Sequence, residues 1–262
     1  MLFRSISGTT VINNSLQLQN IGSLDSTTAA TIGAAAGGGA GAIFFEHFSS
    51  TTTNWQPKIA GDVYVVVAGA GGTGMISKYY SYAGSLISRL NVGGGGSGGV
   101  VVHKFTGVST SQSPSTITVG PTHTTSQNSN GAATAGSAGG SSSITIGGVT
   151  ITAGGGGGGT QVGGAAYGLD RTAVGGAGGS ASGGNIGNFA GVTGATANTG
   201  TSQLYVQAAT RVSDSAFPYL TNFGNFESLT GAGSGGYAYI SETTVNLSTT
   251  GYGGIVRVYY AG

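Results

Sequence analysis

The chain has 262 residues, of which 55 are glycine, 6% are charged and none is cysteine, and its formal net charge is +1. These values exclude a disulfide framework or a thiolate metal site and leave no electrostatic footprint for nucleic acid. No run of 18 consecutive apolar residues occurs, and the first dozen residues lack an apolar core, so neither membrane insertion nor a secretory leader is expected.

Each glycine ordered in regular structure costs about 0.5–1 kcal/mol of backbone freedom relative to alanine. A chain with this many glycines is therefore either disordered or uses the missing Cβ. Disordered segments combine low hydrophobicity with high charge, whereas mean hydropathy here is +0.16 and strand-like apolar segments separate the glycine runs. Order is the expectation.

In chain order, residues 1–42 stand apart from the rest. Asp25 or Ser26 is a suitable N-cap for a short helix running to about Ala36. Its face of Ala29, Ile32 and Ala36 is too small to be stable alone in water. The segment is thus expected to pack on copies of itself or on a neighbouring protein; the alternative is a frayed leader without a partner. Residues 37–41 read as a flexible joint.

Residues 43–262 form the second unit, strands punctuated by glycine runs. Residues 62–68 are apolar on both faces and predict a fully buried strand. Residues 99–105 and 115–119 also read as strands. Residues 143–146 and 149–152 alternate cleanly around Gly147-Gly148, which predicts a hairpin with a two-residue turn. Later strands are expected at 204–206, 237–240 and 255–260. Many short strands with no long helical period predict an all-β protein, a jelly-roll-like β-sandwich.

Three glycine runs stand out: Gly93, Gly94, Gly95 and Gly96 followed by Gly98 and Gly99; Gly154, Gly155, Gly156, Gly157, Gly158 and Gly159; and Gly175, Gly176, Gly178 and Gly179 within residues 175–184. They lack the strict period and high proline of collagen. Bare glycine can adopt the polyproline II helix, whose backbone groups point outward and must find partners when buried. Several runs lying side by side would satisfy one another. Flexible linkers are the competing reading, but the runs abut strands on both sides, which favours a packed polyglycine scaffold.

Several motifs imitate catalytic sites. Residues 69–74 match the dinucleotide fingerprint G-x-G-x-x-G, yet no Asp or Glu occurs between Asp62 and Asp170 to hold a ribose. Residues 95–99 match the nucleophile elbow G-x-S-x-G around Ser97, but a strand follows where a helix is needed. His47, His103 and His123 are scattered and the seven carboxylates form no local pair, so no catalytic residue, metal or cofactor is expected. His103 reads as a satisfied sheet residue. Aromatics are the remaining candidates for contact: Tyr79, Tyr80 and Tyr82, then Tyr167, then Phe217, Tyr219 and Phe223, all in segments bounded by glycines. Tyrosine offers amphipathic contact area at low entropic cost; the competing role is to cover the core.

As an ordered series, residues 63–72, 93–105, 115–120, 139–159 and 251–260 resemble the glycine-rich domain of bacteriophage tail-fibre and receptor-binding (adhesin) proteins, over roughly residues 43–262. The resemblance implies a virion protein of a phage tail, extracellular, whose segments between glycine runs bind a bacterial surface glycan or outer-membrane protein. It further implies attachment to other virion tail proteins through residues 1–42 and, by fold analogy, a homotrimer. Residues 185–236 hold less polyglycine than tip adhesins do. A purely structural tail or capsid decoration protein is the alternative, and ice or surface binding by flat polyglycine faces is a third.

Overall fold

The structure, a computed structural model, describes residues 5–6, 9–10, 44–78, 81–82, 85–86, 90–127, 133–162, 172–199, 204–206, 238–241 and 247–260. The expected helix near residues 25–36 lies outside them. Among the described residues every regular element is a β-strand, and the sheets are predominantly antiparallel.

Ten strands form the frame: β1 (Phe44–Phe48), β2 (Thr52–Trp55), β3 (Gly61–Ala68), β4 (Val100–Val108), β5 (Ser115–Ile117), β6 (Ser142–Ile146), β7 (Val149–Ala153), β8 (Ala181–Ser182), β9 (Gly187–Phe189) and β10 (Ile255–Tyr260). One sheet has the order β9-β4-β3-β10-β1. In it β3 is central, with Val67 opposite both Val101 and Val256, and Val65 opposite both His103 and Val258. A second set runs β2, β5, β6, β7, β8; β5 and β6 are joined through the Thr118–Ser143 bridge and the other neighbours through ordinary ladders.

The valine run of β3 faces two ways, as its sequence predicts. Val63, Val65 and Val67 join Ile117, Ile144, Ile146, Ile151 and Val258 in a core shared by the two sets of strands. On the opposite face Val66 and Ala68 cluster with Val100, Val102, Ile255 and Tyr259. The β6–β7 hairpin forms in the expected register, Ile144 against Ile151. Its turn residues Gly147 and Gly148 have φ of +56° and +80°, a pair of left-handed conformations that only glycine adopts cheaply. Strand ends differ slightly from the sequence reading. β4 continues past a bulge to Val108, β5 gives way to a single bridge at Thr118, and the strand expected at 237–240 is Ala238–Ser241.

One end of the core is closed by a polar network. The Glu46 carboxylate accepts from Trp55 Nε1 at 3.1 Å and from the Tyr260 hydroxyl, which itself accepts from the Lys58 amide at 3.0 Å. Burial, together with the bond to Glu46, pushes the Tyr260 phenol well above its ordinary range.

On the outer side of the second set of strands, alternation puts hydroxyls where the inner side has Ile and Val. Thr118, Ser143, Thr152 and Ser182 stand opposite one another across four strands. Thr145 and Thr150 form the next rank, with their hydroxyls 2.8 Å apart.

Candidate functional site

Beyond the strands the chain continues as glycine runs, and their backbone hydrogen bonds define a second architecture. Residues 69–75 follow β3, and residues 93–99 precede β4. Gly69 donates to Gly99 O at 3.0 Å, Gly72 to Gly96 O at 2.9 Å and Met75 to Gly93 O at 3.0 Å. The step is three residues, and it recurs throughout. Gly156 and Gly159 donate to Ala70 and Thr73; Gly96 and Gly99 donate to Gly157 and Gly154; Gly154 and Gly157 donate to Ser180 and Ala177. Gly191 and Gly194 donate to Gly179 and Gly176, and Gly136 and Gly139 to Gly159 and Gly156.

These bonds arrange the runs in two rows. One row is 69–75, 93–99, 190–195, in the order in which β3, β4 and β9 lie side by side; the other is 135–140, 154–159, 175–180, in the order of β6, β7 and β8. Each row thus extends a set of strands. Between sheets, side chains hold the layers about 10 Å apart; between the rows there are none, and amide and carbonyl meet directly.

The glycine content of each run follows from how many sides are covered. Residues 154–159 touch four neighbouring runs and are glycine throughout. A Cβ on Gly155 would strike Gly139 O, on Gly156 Gly96 O, and on Gly157 the Ala177 amide, each closer than 3.0 Å. Residues 190–195 touch two runs and keep glycine only at 191 and 194, while Val192 and Thr193 are exposed. The predicted scaffold glycines all lie in these runs, except that residues 181–182, read as part of a run, form strand β8. The sequence reading missed 69–75, 135–140 and 190–195. The spacing G-x-x-G, at Gly69/Gly72, Gly136/Gly139 and Gly191/Gly194, is the signal that marks them.

Direction decides what the rows present. Where residues 69–75 leave β3 at Gly69 and end at Met75, the run 93–99 begins beside Met75, 154–159 ends beside Thr73, 175–180 begins beside 157–159, and 190–195 ends beside Gly94. Three stretches of chain, 76–92, 160–174 and 196–248, are consequently tied to the end of the rows away from the core, whereas residues 121–135 start at the core end, where Gly120 and Pro121 lie against Gly140. Their described parts pair there. Ile76–Lys78 lies between Ala133–Thr134 and Ala238–Ser241, Leu90–Gly93 pairs with Thr196–Thr199 and Thr160–Val162 with Thr172–Val174, while the ladder of His123–Gln127 with Leu247–Gly251 runs alongside residues 71–75.

Buried hydroxyls brace this end. Thr73 Oγ1 lies 2.6 Å from Thr125 Oγ1 and accepts from the Ser137 amide at 2.6 Å, and Thr249 Oγ1 donates to Gly74 O at 2.9 Å. Of the aromatic candidates, Tyr82 lies in the short strand Ser81–Tyr82, which pairs with Ser85–Leu86. Tyr79, Tyr80, Tyr167, Phe217, Tyr219 and Phe223 lie outside the described residues. All seven belong by chain connection to the segments that start and finish at the far end.

The imitative motifs have structural roles. The run 69–75 is buried between neighbouring runs and leads into a strand, not a helix. Ser97 is fully buried, and its hydroxyl accepts from the Val192 amide at 2.7 Å. His103 Nδ1 lies 2.7 Å from Gly183 O, with its ring against Phe105, the satisfied sheet residue expected. Among the described residues no group of three or more His, Cys, Asp or Glu could hold a metal ion. An ion pair, Lys104 to Asp62 at 2.7 Å, sits on the surface beside Tyr64, whose ring centroid is 5.4 Å from the ammonium. Its hydrogen bond lowers the Asp62 pKa and raises that of Lys104. Comparison with models of known protein families and with curated proteins found no match for this chain.

Proposed function

We propose that this chain is a virion protein of a bacteriophage tail that binds the host cell surface, and that its frame is a jelly-roll-like β-sandwich extended by packed polyproline II helices of glycine. The three-residue donor step supports the helix reading, since that helix has three residues per turn. The core shared by the two sets of strands supports the sandwich reading.

One observation carries the functional part: three separate stretches of chain leave and rejoin the glycine rows at the same end, opposite the core, and every aromatic candidate belongs to them. Binding residues are disproportionately found in loops positioned by a rigid scaffold. A platform of interlocked backbones is stiff because each run is fixed by several others. The described parts of these segments pair with one another there, Ile76–Lys78 with Ala238–Ser241 and Leu90–Gly93 with Thr196–Thr199, which supports a receptor-binding tip built from distant parts of the sequence. The receptor class is a bacterial surface glycan or an outer-membrane protein, with tyrosine supplying stacking area.

The test is binding of purified chain to a panel of bacterial cells and isolated envelope glycans, with Tyr79, Tyr80, Tyr82 and Tyr167 changed together to Ala. The expected result is saturable binding to one surface, weakened at least tenfold by the changes while the unfolding midpoint holds. A chain that ignores every bacterial surface, yet whose removal disturbs particle assembly, belongs to the structural reading instead.

A further inference from the structure

We propose that the outer face of the row 135–140, 154–159, 175–180 and of strands β5 to β8 pairs with the same face of a second copy of this chain. Three observations carry the proposal. First, the rank Thr118, Ser143, Thr152, Ser182 and the Thr145–Thr150 rank behind it make a hydroxyl face without one charged side chain. From residue 105 to 169 the sequence contains no Asp, Glu, Lys or Arg. The centre of an interface is depleted of charge.

Second, the glycine row has unused hydrogen-bonding positions on this side. In the run 154–159, Gly154 and Gly157 donate to one neighbour and Gly156 and Gly159 to another. The third set, Gly155 and Gly158, donates to no backbone carbonyl among the described residues, and both are partly exposed. These open positions repeat every three residues, like the occupied ones.

Third, the side chains exposed along this row, Ala135, Ser137, Ala138, Ala177 and Ser180, are all small, so a partner with an equally low surface can bring its backbone close to these positions. This chain carries that surface itself. Hydroxyls and peptide groups both donate and accept, so two identical faces are complementary about a two-fold axis. The face measures roughly 19 by 35 Å from strand spacing, strand rise and run length, about 650 Å² per copy, close to the ~800 Å² per partner of a standard interface.

Sedimentation of the intact chain tests this. Wild type is expected to run as a pair at micromolar concentration. A variant with Thr150→Lys and Thr152→Lys is expected to run as a monomer with an unchanged circular dichroism spectrum, and Thr106→Lys on the other sheet to leave the pair intact. A second measurement covers the case in which the lysines unfold the chain: amide exchange of wild type on dilution. Exchange at Gly155 and Gly158 should accelerate as pairs dissociate, while Gly154 and Gly157 stay protected. A wild type that is monomeric at its highest soluble concentration overturns the proposal. So does an assembly, such as a trimer built through residues 1–42, whose mass ignores the lysines and whose Gly155 and Gly158 exchange ignores dilution.

Discussion

The strand end and the glycine end of this molecule solve the same packing problem by opposite means. Around β3 the layers are filled by Val63, Val65, Val67, Ile144 and Ile151, all with no exposed surface, and stability comes from apolar area removed from water. In the rows beyond, the equivalent positions are Gly69, Gly72, Gly154 and Gly157, and layers are joined by backbone hydrogen bonds across the gap that side chains would otherwise fill. One region is specified by volume and the other by its absence. A substitution tolerated in one should therefore be ruinous in the other, and the contrast is open to direct test.

The largest effect is expected at the centre of the rows. Gly156→Ala puts a methyl into the Gly96 carbonyl, where neither backbone can yield without breaking bonds to other runs. A loss of at least about 3 kcal/mol, or failure to fold, is expected by urea denaturation. A Gly156→Ala variant as stable as wild type would remove the argument that the glycines are there for close approach. Next comes the strand end: Ile151→Ala should cost about 2–4 kcal/mol by the same measurement, the ordinary penalty for a cavity in a packed core. Within the rows, Ser97→Ala should cost about 1–2 kcal/mol, because the Val192 amide loses its acceptor. Val192→Ala, on the exposed side of an edge run, should fall within about 0.5 kcal/mol of wild type.

The smallest effect is electrostatic. The depressed Asp62 pKa means its contribution is present above the ordinary carboxylate range and is lost as pH falls through the lowered value. The raised Lys104 pKa means its contribution is present below the ordinary lysine value and is lost as pH climbs through the raised one. The pair is exposed, so the pH dependence of the unfolding midpoint in Asp62→Asn should differ only slightly from wild type, and less at high salt. A large change would mean that the pair holds β3 and β4 together.

What could be read from the sequence tracks how local each determinant is. The two-sided burial of β3 and the β6–β7 hairpin are written in adjacent residues, through unbroken valines in one case and Gly147-Gly148 in the other. The three densest glycine runs were legible for the same reason. Residues 135–140 and 190–195 were camouflaged, because solvent-facing positions of edge runs accept Ala, Ser, Thr and Val, and only every third residue is constrained. Residues 69–75 were read as a failed nucleotide motif because their strand-glycine pattern is shared with one. The bond from Tyr260 to Glu46 joins residues 214 apart, and no local pattern announces it. Convergence of three segments at one end was equally hidden, since it depends on which runs lie parallel and which antiparallel.

The three-residue donor step also limits how such a chain can change in length. On the helix reading proposed above, adding one residue to the run 154–159 would turn every later amide away from its partner by a third of a revolution, so single insertions scramble the contacts with all four neighbours. Adding three to each run restores them and carries the distal segments outward by about 9 Å with their mutual arrangement intact. Growth by threes, in concert, is the one route by which these rows can lengthen and keep their hydrogen bonds.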